Sequence, residues 1–144
     1  MARQYFVELG QPSRAKFIAR RQSYHGNTLG SLAAGFHKGR RAIYEPILAP
    51  NVSHVSPCYS YRGQKSGEND EEYVKRLAQE LEDEFQAQGP GNVCAFIAET
   101  VSGTVSLINL SVNISQQYAS AYDITDLGLR PTGPRILQSN ERSL

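Results

Sequence analysis

Long apolar runs are missing from this 144-residue chain. None approaches the roughly eighteen residues that a membrane span needs, and the opening MARQYFVELG has no apolar core of the secretory kind. The expectation is a chain without membrane contact, cytoplasmic or in an organelle matrix such as the mitochondrial one. An excess of positive charge is missing too: 15 Lys and Arg face 14 Asp and Glu, a formal net charge of +1. That balance argues against nucleic acid as a partner. Cysteine is scarce. Cys58 and Cys94 lie far apart with no CxxC or Cys/His spacing, so buried thiols in a reducing compartment are expected rather than a disulfide or a metal site. The three histidines, His25, His37 and His54, form no HxxxH pair, so no metal is expected. The nucleophile elbow G-x-S-x-G, the phosphate-binding P-loop and the G-x-G-x-x-G fingerprint are absent as well.

What is present suffices for one globular domain, with 40% hydrophobic and 20% charged residues. Ala2 to Leu9 has helical spacing, with Tyr5, Phe6 and Leu9 on one side and Gly10 and Pro12 as a stop. Ala15 to Arg20 alternates like a short strand. Thr28 to Ala34 is small and helix-compatible, with Asn27 available as its N-cap. From Phe36 to Gly67 the chain is rich in Pro, Gly, Tyr and Arg, which predicts a long irregular excursion with one brief strand at Val52 to Val55. Asn69 and Glu72 are spaced as a capping box, and Tyr73, Val74, Leu77, Leu81 and Phe85 follow as an apolar stripe closed by Gly89, Pro90 and Gly91. Glu80, Glu82, Asp83 and Glu84 are expected on the solvated face. Val93 to Ala98 is a continuous apolar run suited to a central, doubly covered parallel strand. This alternation predicts an α/β layered fold with a mostly parallel sheet and flanking helices. Beyond Thr104 no sustained apolar period extends past Val105 to Ile114, and no internal repeat is visible.

Two places carry chemistry. Tyr24-His25-Gly26 follows one strand, and Glu99 ends another; in open α/β sheets ligands bind beyond the carboxyl ends of strands. Glu99 has two readings on spacing alone: a functional acid, or a residue that merely caps a loop or meets an arginine.

From Ala2 to about Gly103 the sequence resembles the class III aminotransferases, pyridoxal-phosphate enzymes of fold type I. ARQYFVE, FIARRQSYHGNTLGSLAAG, RAIYEPILAPNVSHVSPCY and AFIAETVSG stand in the family's order. The resemblance implies amino-group transfer from an amine or amino acid to an oxo acid, pyridoxal 5'-phosphate as cofactor, and a homodimer. It implies that Tyr24 stacks on the cofactor ring, with His25 at the ring edge or substrate side and Gly26 allowing close backbone approach. Glu99 matches the acid of the family's Ala-Glu-Pro strand end, which pairs with a substrate-gating arginine or lies near the ring hydroxyl; Thr100 stands where Pro is usual. The excursion would lie at the dimer contact or the site's rim.

The same comparison implies what this chain lacks. The family's phosphate loop would precede Ala2, and its Asp-Glu strand and Schiff-base lysine would lie beyond Gly103. Lys16, Lys38, Lys65 and Lys75 are the four lysines here, and none stands at that position. The expectation is an incomplete piece of the cofactor-binding large domain over residues 1–103, without a catalytic lysine and inactive alone. Residues 104–144 are expected to be a divergent tail, from Val105 a translated intron or frame-shifted sequence. The alternative is a non-catalytic α/β fragment that associates with a full-length paralogue.

Overall fold

The computed structural model describes residues 1–99. Three parallel strands, β1 (Lys16–Arg20), β2 (Val52–Val55) and β3 (Val93–Ile97), lie in the order β2-β1-β3. Phe17 pairs with Val52 on one side and Ala95 on the other, and the β1–β3 register shifts between Lys16 and Phe17. Because all three run the same way, Arg20, Val55 and Ile97 end at one edge of the sheet. Among the described residues β1 is the central strand. Of the Val93 to Ala98 run, predicted to be central and covered twice, Val93–Ile97 forms β3, which sits beside β1 with its first two residues buried.

Helix α1 (Ala2–Glu8) stops where Gly10 takes a φ of 71° and donates its N–H to Val7. Only Phe6 of the predicted apolar side is buried, under the Arg14 guanidinium; Tyr5 and Leu9 are exposed. Helix α2 (Leu29–Ala34) starts one residue later than the composition suggests. Thr28, not Asn27, is its N-cap, accepting from the Ser31 N–H at 3.4 Å. The excursion holds β2 as predicted and, in addition, helix α3 (Lys38–Arg41), a 3-10 turn at Glu45–Ile47 and helix α4 (Ser60–Gly63). Elements of three or four residues carry too few positions for an apolar period, which is why composition alone reads them as irregular.

Helix α5 (Asp70–Gln88) forms as its sequence dictates: Asn69 accepts from Glu72 N–H, and Glu72 accepts from Asn69 N–H, each at 2.9 Å. Three acids in the first turn complement the helix dipole. The whole predicted stripe is buried, together with Ile18, Val55 and Val93, in one cluster. Burying each large apolar side chain contributes about 1.5–3 kcal/mol, so this face supplies most of the drive that places α5 on the sheet. His54, next to Val55 and hence on the opposite face, reaches Ala34 of α2. The sheet is therefore sandwiched, α5 below and α2 above. One acid leaves the predicted solvated face: Glu80 accepts from both the N–H and the hydroxyl of Ser56 at 2.9 Å, tying α5 to the end of β2. Cys94 is buried and Cys58 half-buried, both free thiols pushed up by desolvation.

Candidate functional site

The carboxyl edge of the sheet is where the chain gathers its unusual backbone. After β1 the chain turns at once: Arg21 donates to Val55, Ser23 hydroxyl donates back to Arg20 O at 2.6 Å, and Gln22 sits in the left-handed region at φ 58°. A non-glycine residue there costs about 1–2 kcal/mol relative to its relaxed state. The turn delivers Tyr24 across the top of the sheet to β3, where the Tyr24 N–H donates to Glu99 Oε1 at 2.9 Å. One carboxylate oxygen of Glu99 thus holds a backbone N–H of the Tyr24 turn. Because the group it holds belongs to Tyr24, the cap also brings together the residues from the ends of two different strands.

Gly26 takes a φ of 122°, and a Cβ there would lie 3.1 Å from Ser31 Cβ. Only glycine fits this backbone without strain. The loop is seated from behind by Gly35 and Phe36, whose N–H donates to Ser23 O at 3.0 Å; a Cβ on Gly35 would come within 3.2 Å of that same oxygen. His25 Nε2 is inaccessible and has no hydrogen-bond partner among the described residues. Burial pushes its imidazole below the usual value, with the Glu99 carboxylate pulling the other way.

Tyr24, His25, Gly26 and Glu99 therefore converge at one end of the sheet. Sequence reasoning missed the supports. Arg41 is buried and donates to Gly35 O at 2.8 Å and Ala33 O at 3.5 Å, while its remaining nitrogens meet Glu45 at 3.1 and 3.3 Å. Its guanidinium lies 4.6 Å from the Phe36 ring centroid, and His54 meets the same ring edge-on at 4.8 Å. His54 Nε2 lies 3.1 Å from Ala34 O, a contact that makes this nitrogen the protonated one. Arg41 and His54 thus bind three successive carbonyls at the end of α2. The sequence offered only a tract rich in Arg; which arginine is buried comes from the fold. Arg40, its neighbour, lies over Tyr24 with the guanidinium carbon 4.8 Å from the ring centroid.

The lysines stand elsewhere. Lys16 begins β1 at the opposite edge, its ammonium on Gln88 O at 3.2 Å, and Lys38, Lys65 and Lys75 are exposed. No group of three or more His, Cys, Asp or Glu residues suited to a metal ion occurs among the described residues. Nor does any described helix have the length and apolarity to cross a membrane. The expected tail from residue 104, the change to Thr100 and the Val105 junction lie outside the described residues.

Comparison with known proteins agrees on one family. The family model for class-III aminotransferases matches residues 1–121, running past Gly103. An uncharacterized aminotransferase of Schizosaccharomyces pombe is 53% identical over 100 residues, which is 69% of this chain and 22% of that protein. The mitochondrial gamma-aminobutyrate transaminase 1 of Solanum lycopersicum is 40% identical over 106 residues, 72% of this chain and 20% of that protein. An omega transaminase of Pseudomonas jessenii, solved in complex with PMP, superimposes with a TM-score of 0.71 at 30% identity, covering 85% of this chain and 27% of its own. The PLP-bound aminotransferase mutant from Vibrio fluvialis gives 0.75 at 26% identity, over 89% and 27%. The chain spans about a fifth of the length of the curated relatives it matches. Family model, relatives and superposition converge: this chain belongs to the class III aminotransferases, with part of their fold type I architecture.

Proposed function

We propose that this chain forms the wall of a pyridoxal 5'-phosphate site that faces the cofactor ring, in a protein whose parent reaction moves an amino group from an amine or amino acid to an oxo acid. The observation that carries the reading is the bond from the Tyr24 backbone N–H to Glu99, which ties an aromatic residue and a carboxylate together at the carboxyl end of a parallel sheet. The fit to a flat, polar-edged ring is supported by three features. Tyr24 offers an aromatic face, Gly26 brings its backbone close without a Cβ, and the buried His25 Nε2 carries a hydrogen-bonding capacity that no described residue takes up.

When bound, pyridoxal phosphate supplies an electron sink for carbanion chemistry. The residues of this chain bind and orient. Tyr24 covers a ring face and excludes water from it. His25 presents Nε2, unpartnered among the described residues, to the ring edge or the substrate side. Glu99 holds Tyr24 in place through its backbone and keeps a second carboxylate oxygen for a cationic partner. None of the four lysines lies with them, so the chain by itself does not catalyse the transfer, and residues 1–103 act as an incomplete large domain. A second copy of the chain or its full-length counterpart, and a cytoplasmic or mitochondrial setting, complete this reading.

Pyridoxamine 5'-phosphate tests it, because an amine cannot condense with stray lysines. Titrated into the chain with isotope-labelled tyrosine rings, it is expected to move the Tyr24 resonance saturably, that resonance being assigned by its loss in Tyr24→Phe. Equal, non-saturating shifts across all tyrosines would contradict the reading.

A further inference from the structure

We propose that Arg40 is a positioning residue for Tyr24: its guanidinium stacks on one ring face and so holds the other face toward the cofactor. The inference rests on the reading of Tyr24 as the residue that faces the ring. Three observations carry it. First, the Arg40 guanidinium carbon stands 4.8 Å from the Tyr24 ring centroid, within the range where the ring quadrupole attracts a cation. Second, Arg40 is exposed and pairs with no carboxylate among the described residues, so the ring is its recorded side-chain partner. Third, the arginine is delivered there by a built support rather than by a free loop.

That support is its neighbour. Arg41 is buried, binds Gly35 and Ala33 carbonyls with one nitrogen and Glu45 with the others, and stacks on Phe36. Such a fork of donors is one that lysine cannot reproduce. It clamps α3 onto the end of α2, the helix that the Tyr24 loop enters. Two consecutive arginines therefore divide the work: Arg41 anchors the segment, and Arg40, turned to a different side, reaches the ring. Ring position is then fixed from two directions, through the backbone by Glu99 and through the face by Arg40. Two-point fixation is what pre-organises a stacking platform.

The test repeats the pyridoxamine phosphate titration, followed by phosphorus NMR of the ligand, on Arg40→Ala, Arg40→Lys, Tyr24→Leu and the Arg40→Ala/Tyr24→Leu pair. An exposed cation over a ring predicts that Arg40→Ala weakens binding about two- to five-fold. Arg40→Lys keeps a cation over the ring and is expected to stay within about two-fold of the parent. In the Tyr24→Leu background the Arg40 change is expected to have no further effect, because its target is gone. Unchanged affinity in Arg40→Ala would overturn the proposal. Tighter binding would overturn it too, by showing that the guanidinium competes for the ligand's face, and an equal loss without Tyr24 would show that Arg40 meets the ligand directly. A parent chain with no saturable binding would instead overturn the cofactor reading beneath it.

Discussion

At the residue scale, the site depends on groups that are uncommon where they stand. Gly26 has a backbone conformation closed to side chains, so Gly26→Ala is expected to cost about 1–3 kcal/mol in urea denaturation; an unchanged midpoint would contradict the φ of 122°. Acid sensitivity separates two kinds of residue. Burial pulls His54 below its usual 6.5, against its hydrogen bond to Ala34, with Arg41 adding to the depression. A base depressed in the folded state binds fewer protons folded than unfolded. Its stabilisation is therefore complete above 6.5 and lost as pH falls through the lower, folded value. His54→Gln, which keeps an amide donor for Ala34, is expected to make that fall shallower; an identical slope would rule His54 out as its source. Glu68 belongs to another window. The side-chain hydrogen bond from Arg76 holds it at about 2 rather than 4.5, so its contribution fades only as pH drops below 4.5 toward 2. Arg76→Gln is expected to make this second decline shallower and leave the first, Glu45 and the Lys65 contact keeping part of it. Tyr24, His25 and Glu99 could be singled out in the sequence because each follows a predicted strand. The roles of Arg40, Arg41, His54 and Glu80 were not, because their partners come from other elements.

Among the elements, α5 was the most legible. Its capping box, first-turn acids and apolar stripe are all local or periodic, and each formed as its spacing required. Asn69→Ala is expected to lower stability by about 1 kcal/mol. Leu77→Ala, in the middle of the buried stripe, is expected to cost about 2–5 kcal/mol. Denaturant midpoints check both, and a smaller loss for Leu77 than for Asn69 would contradict the placement of the core. The short helices at Lys38–Arg41 and Ser60–Gly63 were illegible for the opposite reason. Tertiary contacts hold them: Arg41 clamps the first, and the second packs against α5, where Gly63 lies so close to the Tyr73 hydroxyl that no Cβ fits. Strand β3 shows a related limit. Its composition announced a parallel strand but could not say that β1, with its alternating pattern, would be the strand flanked on both sides among the described residues.

For the molecule as a whole, the α/β layering followed from the order of local patterns, and the parallel topology brought Tyr24 and Glu99 together across 75 residues of chain. Nothing in the spacing of those two residues announces the contact; only the sheet creates it. The sheet edge thus gathers a ring, an imidazole and a carboxylate, and the four lysines stand apart, the arrangement proposed as a ring-facing wall. The most direct test of that claim is to incubate the chain with pyridoxal 5'-phosphate, reduce with borohydride and locate the modified lysines by mass. The account predicts only scattered, non-saturating modification of Lys16, Lys38, Lys65 and Lys75. Saturable modification of one of them would mean that the chain builds a complete covalent site, contradicting its reading as a ring-facing wall that cannot catalyse alone.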